Sequence, residues 1–183
     1  VQQLLRINQS VGREAVHSRL KIEKFPEFSF REFQSTAQNQ AEHLRNPEFG
    51  SKFPMETLKN FSPEGNDVQI VVTDGLSAEA IHHNVSEMLP VLMDGLKSKN
   101  YSMGKTMFVH YGRVKLSECI ADRLDCNLVI MLVGERPGGD ALSSKSMSAY
   151  LALKLKDPEA QKKAALYSDL PNIGYEYTVV TNI

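Results

Sequence analysis

Apolar positions along the chain follow two regimes that change over near residue 66. From Asp67 onward they come in short runs. "VQIVVT" (Val68–Thr73) predicts a strand, "TMFVH" (Thr106–His110) a second and "LVIMLV" (Leu128–Val133) a third. The third is apolar without alternation, so both of its faces should be covered. Between the first two, Ile81, Val85, Met88, Leu89, Leu92, Met93 and Leu96 repeat at helical spacing and define one apolar face. Ser77 stands where an N-cap would, Glu79 lies in the first turn, and Pro90 inside the run predicts a kink. Between the second and third strands, Ser117 is placed to cap a short helix through Leu124, with Ile120 and Leu124 turned inward. Strand, helix, strand, helix, strand is the pattern of an α/β fold, here a mostly parallel sheet with helices on both faces. Further on, Met147, Ala149, Leu151, Leu153 and Leu155 alternate with Ser146, Ser148, Tyr150, Ala152 and Lys154. That favours a half-buried strand, although the alanines and leucines also permit a helix. Asp157, with Pro158 in the first turn, opens a short helix, and Tyr177–Ile183 is strand-like.

Residues 1–66 differ. Seven of the eight phenylalanines lie there, scattered singly among polar residues. In "FREFQSTAQNQAEHLRN", Phe33, Ala37, Gln40 or Ala41, and Leu44 fall at helical spacing, which predicts short helices and loops rather than a sheet. The lone aromatics can anchor this layer on the chain's own core or on a partner. "FSPEGND" (Phe61–Asp67) is turn-rich and marks a boundary. The expected organisation is a mainly helical N-terminal extension over 1–66, carrying subunit contacts, followed by an α/β domain over 67–183.

Composition narrows the function classes. A chain of 183 residues with 42% apolar content can build a real core. A formal net charge of −1 gives no footprint for nucleic acid or an anionic membrane. No apolar run reaches membrane-spanning length, and Arg6 and Arg13 interrupt any signal-peptide pattern. Cys119 and Cys126 are the only cysteines, which makes a reducing, cytoplasmic setting the expectation. Neither Val1 nor Ile183 has the character of a natural terminus.

Chemistry should gather where the three central strands end. Asp74-Gly75, His110-Tyr111-Gly112-Arg113 and Gly134-Glu135-Arg136-Pro137-Gly138 follow them, and in a parallel sheet such loops share one edge, where ligands bind. Each sets glycine beside a charged or hydrogen-bonding residue. A bulky ligand rich in amides would suit backbone donors with Arg113 and Glu135, whereas a phosphate would suit Arg113 or Arg136. The plainer roles are a helix cap for Asp74 and a local ion pair for Glu135 and Arg136. His82 and His83 lie on the polar side of the long helix and are expected in solvent. His17, His43 and His110 have no zinc spacing, and neither cysteine belongs to a C-x-x-C pair. The glycine-rich nucleotide fingerprints and the G-x-S-x-G elbow are absent from the sequence.

Six blocks carry a family likeness. "IVVTDGLSAEAI", "LPVLMDGL", "FVHYGRVKL", "LVIMLVGERPG", "SMSAYLAL" and "TVVTNI" resemble, in order, blocks of the small subunit of ethanolamine ammonia-lyase. The likeness runs from Val68 to Ile183, and "YGRVK" with "VGERPG" makes it specific. The first third is less like that family; the glycine- and arginine-rich stretch usual there is reduced to "VGREAVHSRL" (Val11–Leu20). The resemblance implies a subunit of an enzyme that splits ethanolamine into acetaldehyde and ammonia with adenosylcobalamin. It also implies a large barrel subunit that holds substrate and the adenosyl face of the cofactor, while the small subunit packs below and clamps the corrin. Arg113, Val114 and Glu135 match the family's cobalamin contacts, and no catalytic residue is implied on this chain. A cysteine near the cofactor in some members falls on Val179. A hetero-oligomer of several large and small subunits, housed in a bacterial microcompartment, is implied as well. Members of the family continue past the matching "NI" into a glycine–proline segment and a final helix, whereas this sequence stops at Ile183, which leaves open whether that end follows or the protein lacks it. Two other readings stay open. One is a relative that has lost catalysis and serves as a cobalamin-binding or structural module. The other is an unrelated α/β enzyme that uses the same loop edge for a nucleotide or small acid.

Overall fold

The computed structural model describes residues 19–135, 145–157, 159–161 and 174–183. Among them six strands form one sheet: β1 (Arg31–Gln34), β2 (Val68–Thr73), β3 (Met107–His110), β4 (Leu128–Gly134), β5 (Met147–Lys154) and β6 (Tyr175–Thr181). Their spatial order is β1-β3-β2-β4-β5-β6. The first four are mutually parallel. β5 and β6 run antiparallel to their neighbours. The expectation of a mostly parallel sheet is thereby corrected to a mixed one. An apolar pattern marks a strand but carries no direction. Direction depends on the connection, and a parallel return needs a crossover of about a dozen residues or more, usually helical. The stretch between β4 and β5, 135–146, is at that limit and holds Pro137, Gly138 and Gly139.

The central strands are buried, apart from the half-buried Leu128 at the start of β4, because both faces are covered. On one face lies α3 (Ala78–Ser98), after two short helices, α1 (Gln40–Arg45) and α2 (Met55–Leu58). Ile81, Val85 and Leu89 of α3 pack with Ile70, Val72, Ile130 and Leu132, and Met88, Leu92, Met93 and Leu96 extend the same contact. On the other face, α4 (Leu116–Leu124) sets Leu116, Ile120 and Leu124 against Val71, Met107, Val109, Val129 and Met131. Alternate residues of one strand thus serve opposite cores, which is why Leu128–Val133 shows no alternation. The Ser77 side chain accepts from the Ala80 N–H and caps α3 as its position predicts. α3 spans Pro90, which sits on its exposed side, where a carbonyl left without its helical donor can face water. Ser117 does not cap α4. It lies inside the first turn and its hydroxyl donates to the Val114 carbonyl.

The expectation of short helices and loops rather than a sheet over residues 1–66 is corrected in part: residues 19–66 hold short helices at Ile22–Lys24, Gln40–Arg45, Pro47–Ser51 and Met55–Leu58 but also a strand, and residues 1–18 lie outside the described residues. Arg31–Gln34 is an edge strand paired with β3, although its arginine, glutamate and glutamine are weak strand formers. The outer backbone of β3 offers a ladder, and that tertiary opportunity outweighs local preference. Phe33 points into the α4-side core, and only Gln40–Arg45 of the predicted helical stretch is α-helix, capped by Asn39. Phe25 and Phe53 are core residues, whereas Phe49 is exposed. Leu153, expected inside, is 42% exposed, and Ser148 and Ala152 are buried instead. The helix expected from Asp157 begins as described, with the Glu159 N–H on Asp157 Oδ1; Pro158 and residues 162–173 lie outside the described residues.

Candidate functional site at the ends of the central strands

β3, β2 and β4 lie side by side in parallel, so their C-terminal loops meet on one edge. Glycine makes the close fit possible. A side chain at Gly134 would collide with the Ser77 carbonyl oxygen, and Gly75 holds a left-handed φ of 52° against Val133 and Gly134. The Leu76 N–H donates to the Gly134 carbonyl at 2.8 Å and ties the β2 loop to the end of β4.

The loop after β3 is bound on all sides. Tyr111 has a left-handed φ of 57°, unusual for a bulky residue, and turns the chain away from the sheet. Its N–H donates to Asp74 Oδ1 at 2.7 Å, and its carbonyl accepts from the Ser35 hydroxyl at 2.9 Å. The Gly112 N–H donates to Thr73 Oγ1 at 2.9 Å. The Arg113 N–H donates to the Gly50 carbonyl at 2.8 Å, and Arg113 Nη2 to the His43 carbonyl at 2.9 Å. Arg113 is therefore held by the N-terminal segment rather than swinging free of it. Val114 follows, half-buried against the α4-side core.

Asp74 is only 3% exposed, and its Oδ2 has no hydrogen-bond partner among the described residues. Burial pushes its acid up to about 7, against the pull of the Tyr111 and Thr73 hydrogen bonds. The helix-cap role expected of its side chain is replaced by the bond to Tyr111; its carbonyl, not its carboxylate, accepts from the Ser77 N–H. His43 is buried, and its Nε2 donates to the Gly75 carbonyl at 2.6 Å. Burial first, and the Arg113 cation second, hold its pKa down at about 4, so the ring is neutral near pH 7.

Glu135 is half-buried at the end of β4, and its Oε1 accepts from the Tyr150 hydroxyl at 2.8 Å. Burial, reinforced by that carboxylate, pushes the Tyr150 phenol up to about 12. Arg136, the other residue expected to form a local ion pair, lies outside the described residues. Arg113, in the loop after β3, and Glu135, just after β4, follow the strands on either side of β2 and so flank the Asp74-Gly75 loop. His110 instead turns toward β1, where Nε2 meets Glu32 Oε1 at 2.7 Å, beside a cavity of about 530 Å³ lined by Arg19–Glu23. His82 is not simply solvated, since its Nε2 accepts from the Lys21 N–H.

Sequence reasoning missed Ser35, His43 and Gly50, which fasten the Arg113 loop. They lie some 60 to 80 residues upstream, and nothing in their local pattern announces a partner. Among the described residues no group of histidine, cysteine and carboxylate side chains is arranged to hold a metal ion. Nor is a described helix long and apolar enough to cross a membrane.

Comparison with known proteins bears on this edge. A family model described as "Ethanolamine ammonia-lyase light chain (EutC)" matches residues 2–181. The ethanolamine ammonia-lyase small subunit of Clostridium acetobutylicum is 34% identical over 172 residues, covering 92% of this chain and 70% of that relative. The subunit of the same name from Clostridium tetani is 33% identical over 151 residues, 81% of this chain and 51% of the relative. That from Listeria monocytogenes serotype 4a is 33% identical over 162 residues, 86% and 55%. The chain thus spans a little over half the length of the last two.

Proposed function

We propose that this chain, which belongs to the ethanolamine ammonia-lyase light-chain family, is the small subunit of an adenosylcobalamin-dependent ethanolamine ammonia-lyase and acts by clamping the corrin. The observation that carries the reading is that Arg113 and Val114, in the loop after β3, and Glu135, just after β4, lie at the same edge of the sheet, on either side of β2. The donor set suits a corrin periphery, which is rich in amides around an apolar ring. Arg113 brings a guanidinium cation anchored on the His43 carbonyl, Glu135 carries a second carboxylate oxygen that can accept from an amide, and Val114 offers apolar cover. When bound, adenosylcobalamin supplies the radical chemistry that splits ethanolamine into acetaldehyde and ammonia.

This chain's own part is binding and orientation. The titratable pair nearest the edge is spent on backbone: His43 Nε2 on the Gly75 carbonyl and Asp74 Oδ1 on the Tyr111 N–H. The substrate pocket then belongs to a large barrel subunit, joined to this chain in a hetero-oligomer within the cytoplasm and a bacterial microcompartment.

The test is cobalamin affinity in the complex reconstituted with that large subunit. Glu135→Ala removes an acceptor, a loss of about 1–3 kcal/mol, and should weaken binding roughly 5- to 150-fold. Arg113→Ala should act alike, while Glu135→Gln keeps most of the affinity. Turnover at saturating cofactor should fall much less. Untouched affinity with abolished turnover would make Glu135 a chemical participant and overturn the clamp. A complex that binds cobalamin yet releases no ammonia would point to the non-catalytic relative.

A further inference from the structure

We infer that Asp74 is a positioning residue: from the end of β2 it fixes the first peptide of the β3 loop and so sets where Arg113 and Val114 stand. The inference rests on the corrin-clamp reading and extends it to a residue that touches no cofactor. Three observations carry it. The Tyr111 N–H lies just past the end of β3, beyond the last ladder pair of Gln34 with His110, and Asp74 Oδ1 receives it at 2.7 Å. Tyr111 is held left-handed, at φ 57°, a conformation a tyrosine keeps only when its surroundings impose it. The bonds that anchor the rest of the loop follow directly after that turn: the Gly112 N–H on Thr73 Oγ1, the Arg113 N–H on the Gly50 carbonyl, and Arg113 Nη2 on the His43 carbonyl.

The arrangement is also costly for a merely structural filler. The carboxyl group is almost wholly buried, and its second oxygen has no well-formed hydrogen bond among the described residues. A hydrophobic side chain would fill the space without that penalty, but it would leave the Tyr111 N–H without an acceptor. The carboxylate is retained, on this view, for the bond it makes to the loop.

Cobalamin affinity, read by spectroscopic titration of the reconstituted complex beside thermal midpoints, tests this. Asp74→Asn keeps an acceptor oxygen of the same reach and should hold affinity within about threefold. Asp74→Ala should weaken it about tenfold or more. Val85→Ala, in the α3-side core and remote from the loop, is the control; it should lower the midpoint at least as far while leaving affinity unchanged. In an Arg113→Ala background the Asp74→Ala loss should shrink, because Asp74 acts through that segment. If Asp74→Ala does not fold, Asp74→Ser, polar but too short to reach the Tyr111 N–H, carries the same expectation. Unchanged affinity in Asp74→Ala or Asp74→Ser, or an equal loss in Val85→Ala, overturns the positioning role. Should Arg113→Ala and Glu135→Ala both leave affinity intact, it is the clamp itself that fails. If Arg113→Ala weakens binding and Asp74→Ala does not, the clamp stands and the positioning role alone falls.

Discussion

At Asp74 a carboxyl group is closed away from water, and a few residues off in space His43 is closed away as a neutral ring. Their titrations pull stability in opposite directions. Asp74 moves from 3.8 in an unfolded chain up to about 7. Between those values the folded protein keeps a proton that the unfolded chain has released, so stability falls as pH rises through the window and is level above it. His43 moves from 6.5 down to about 4, so there the unfolded chain holds the extra proton and stability rises with pH across 4 to 6.5. Between about pH 4 and 6.5 the two largely offset each other, a consequence of both shifts being driven by burial. Asp74→Asn removes the falling limb. Its urea midpoint, relative to the parent, should climb from pH 4 to 7 and then level off. A variant-minus-parent curve that stays flat would show that Asp74 does not titrate in the fold as described.

At the level of elements, the junction of β2 with α3 concentrates the local signals. Ser77 caps α3 by accepting from the Ala80 N–H at 3.2 Å. Ser77→Ala should cost about 1 kcal/mol and lower the thermal midpoint by roughly 2–4 °C. Gly134→Ala should cost more, about 1–3 kcal/mol, because the added carbon meets the carbonyl oxygens of Ser77 and Asp74, which are backbone and cannot swing aside. Thermal unfolding of both variants checks the order. A Gly134→Ala protein as stable as its parent would mean that β4 and the α3 start are not packed as found. The two sites differ in legibility. The cap could be read from serine followed by a helical period. The glycine's reason, a neighbour 57 residues upstream, could not.

For the whole molecule, the open side of the sheet matters most. β6 ends the strand order, and Tyr177, Val179 and Val180 are 43%, 46% and 50% exposed. An edge strand with apolar side chains on show invites association. The isolated chain should therefore scatter light as self-associating species, and Val180→Lys should reduce that, with co-expressed large subunit doing so more completely. The N-terminal residues offer a partner less than their phenylalanines imply, because Phe25 and Phe53 are already spent on the chain's own core; Phe49 and Met55 remain exposed. Removing residues 1–66 should expose the outer edge of β3 as well, and worsen the scattering. A truncated chain that stays monomeric would count against β1 as the cover of that edge.

The sequence by itself determined the central strands almost to the residue, the apolar face and cap of α3, and the shared edge to which the three strand-end loops run. All of these rest on short-range chemistry: continuous apolar runs, a helical period, a capping hydroxyl, glycine at strand ends. Only the tertiary structure decided the direction of β5 and β6, because hydrophobic alternation is the same read either way along a strand. It alone made Arg31–Gln34 a strand, since the ladder it completes belongs to residues 76 positions downstream. It likewise turned Asp74 from a helix cap into the acceptor for Tyr111 and brought Ser35, His43 and Gly50 to the Arg113 loop. Those contacts join segments with no local relation in sequence, and they form because buried N–H and carbonyl groups must find partners wherever the packed chain supplies them.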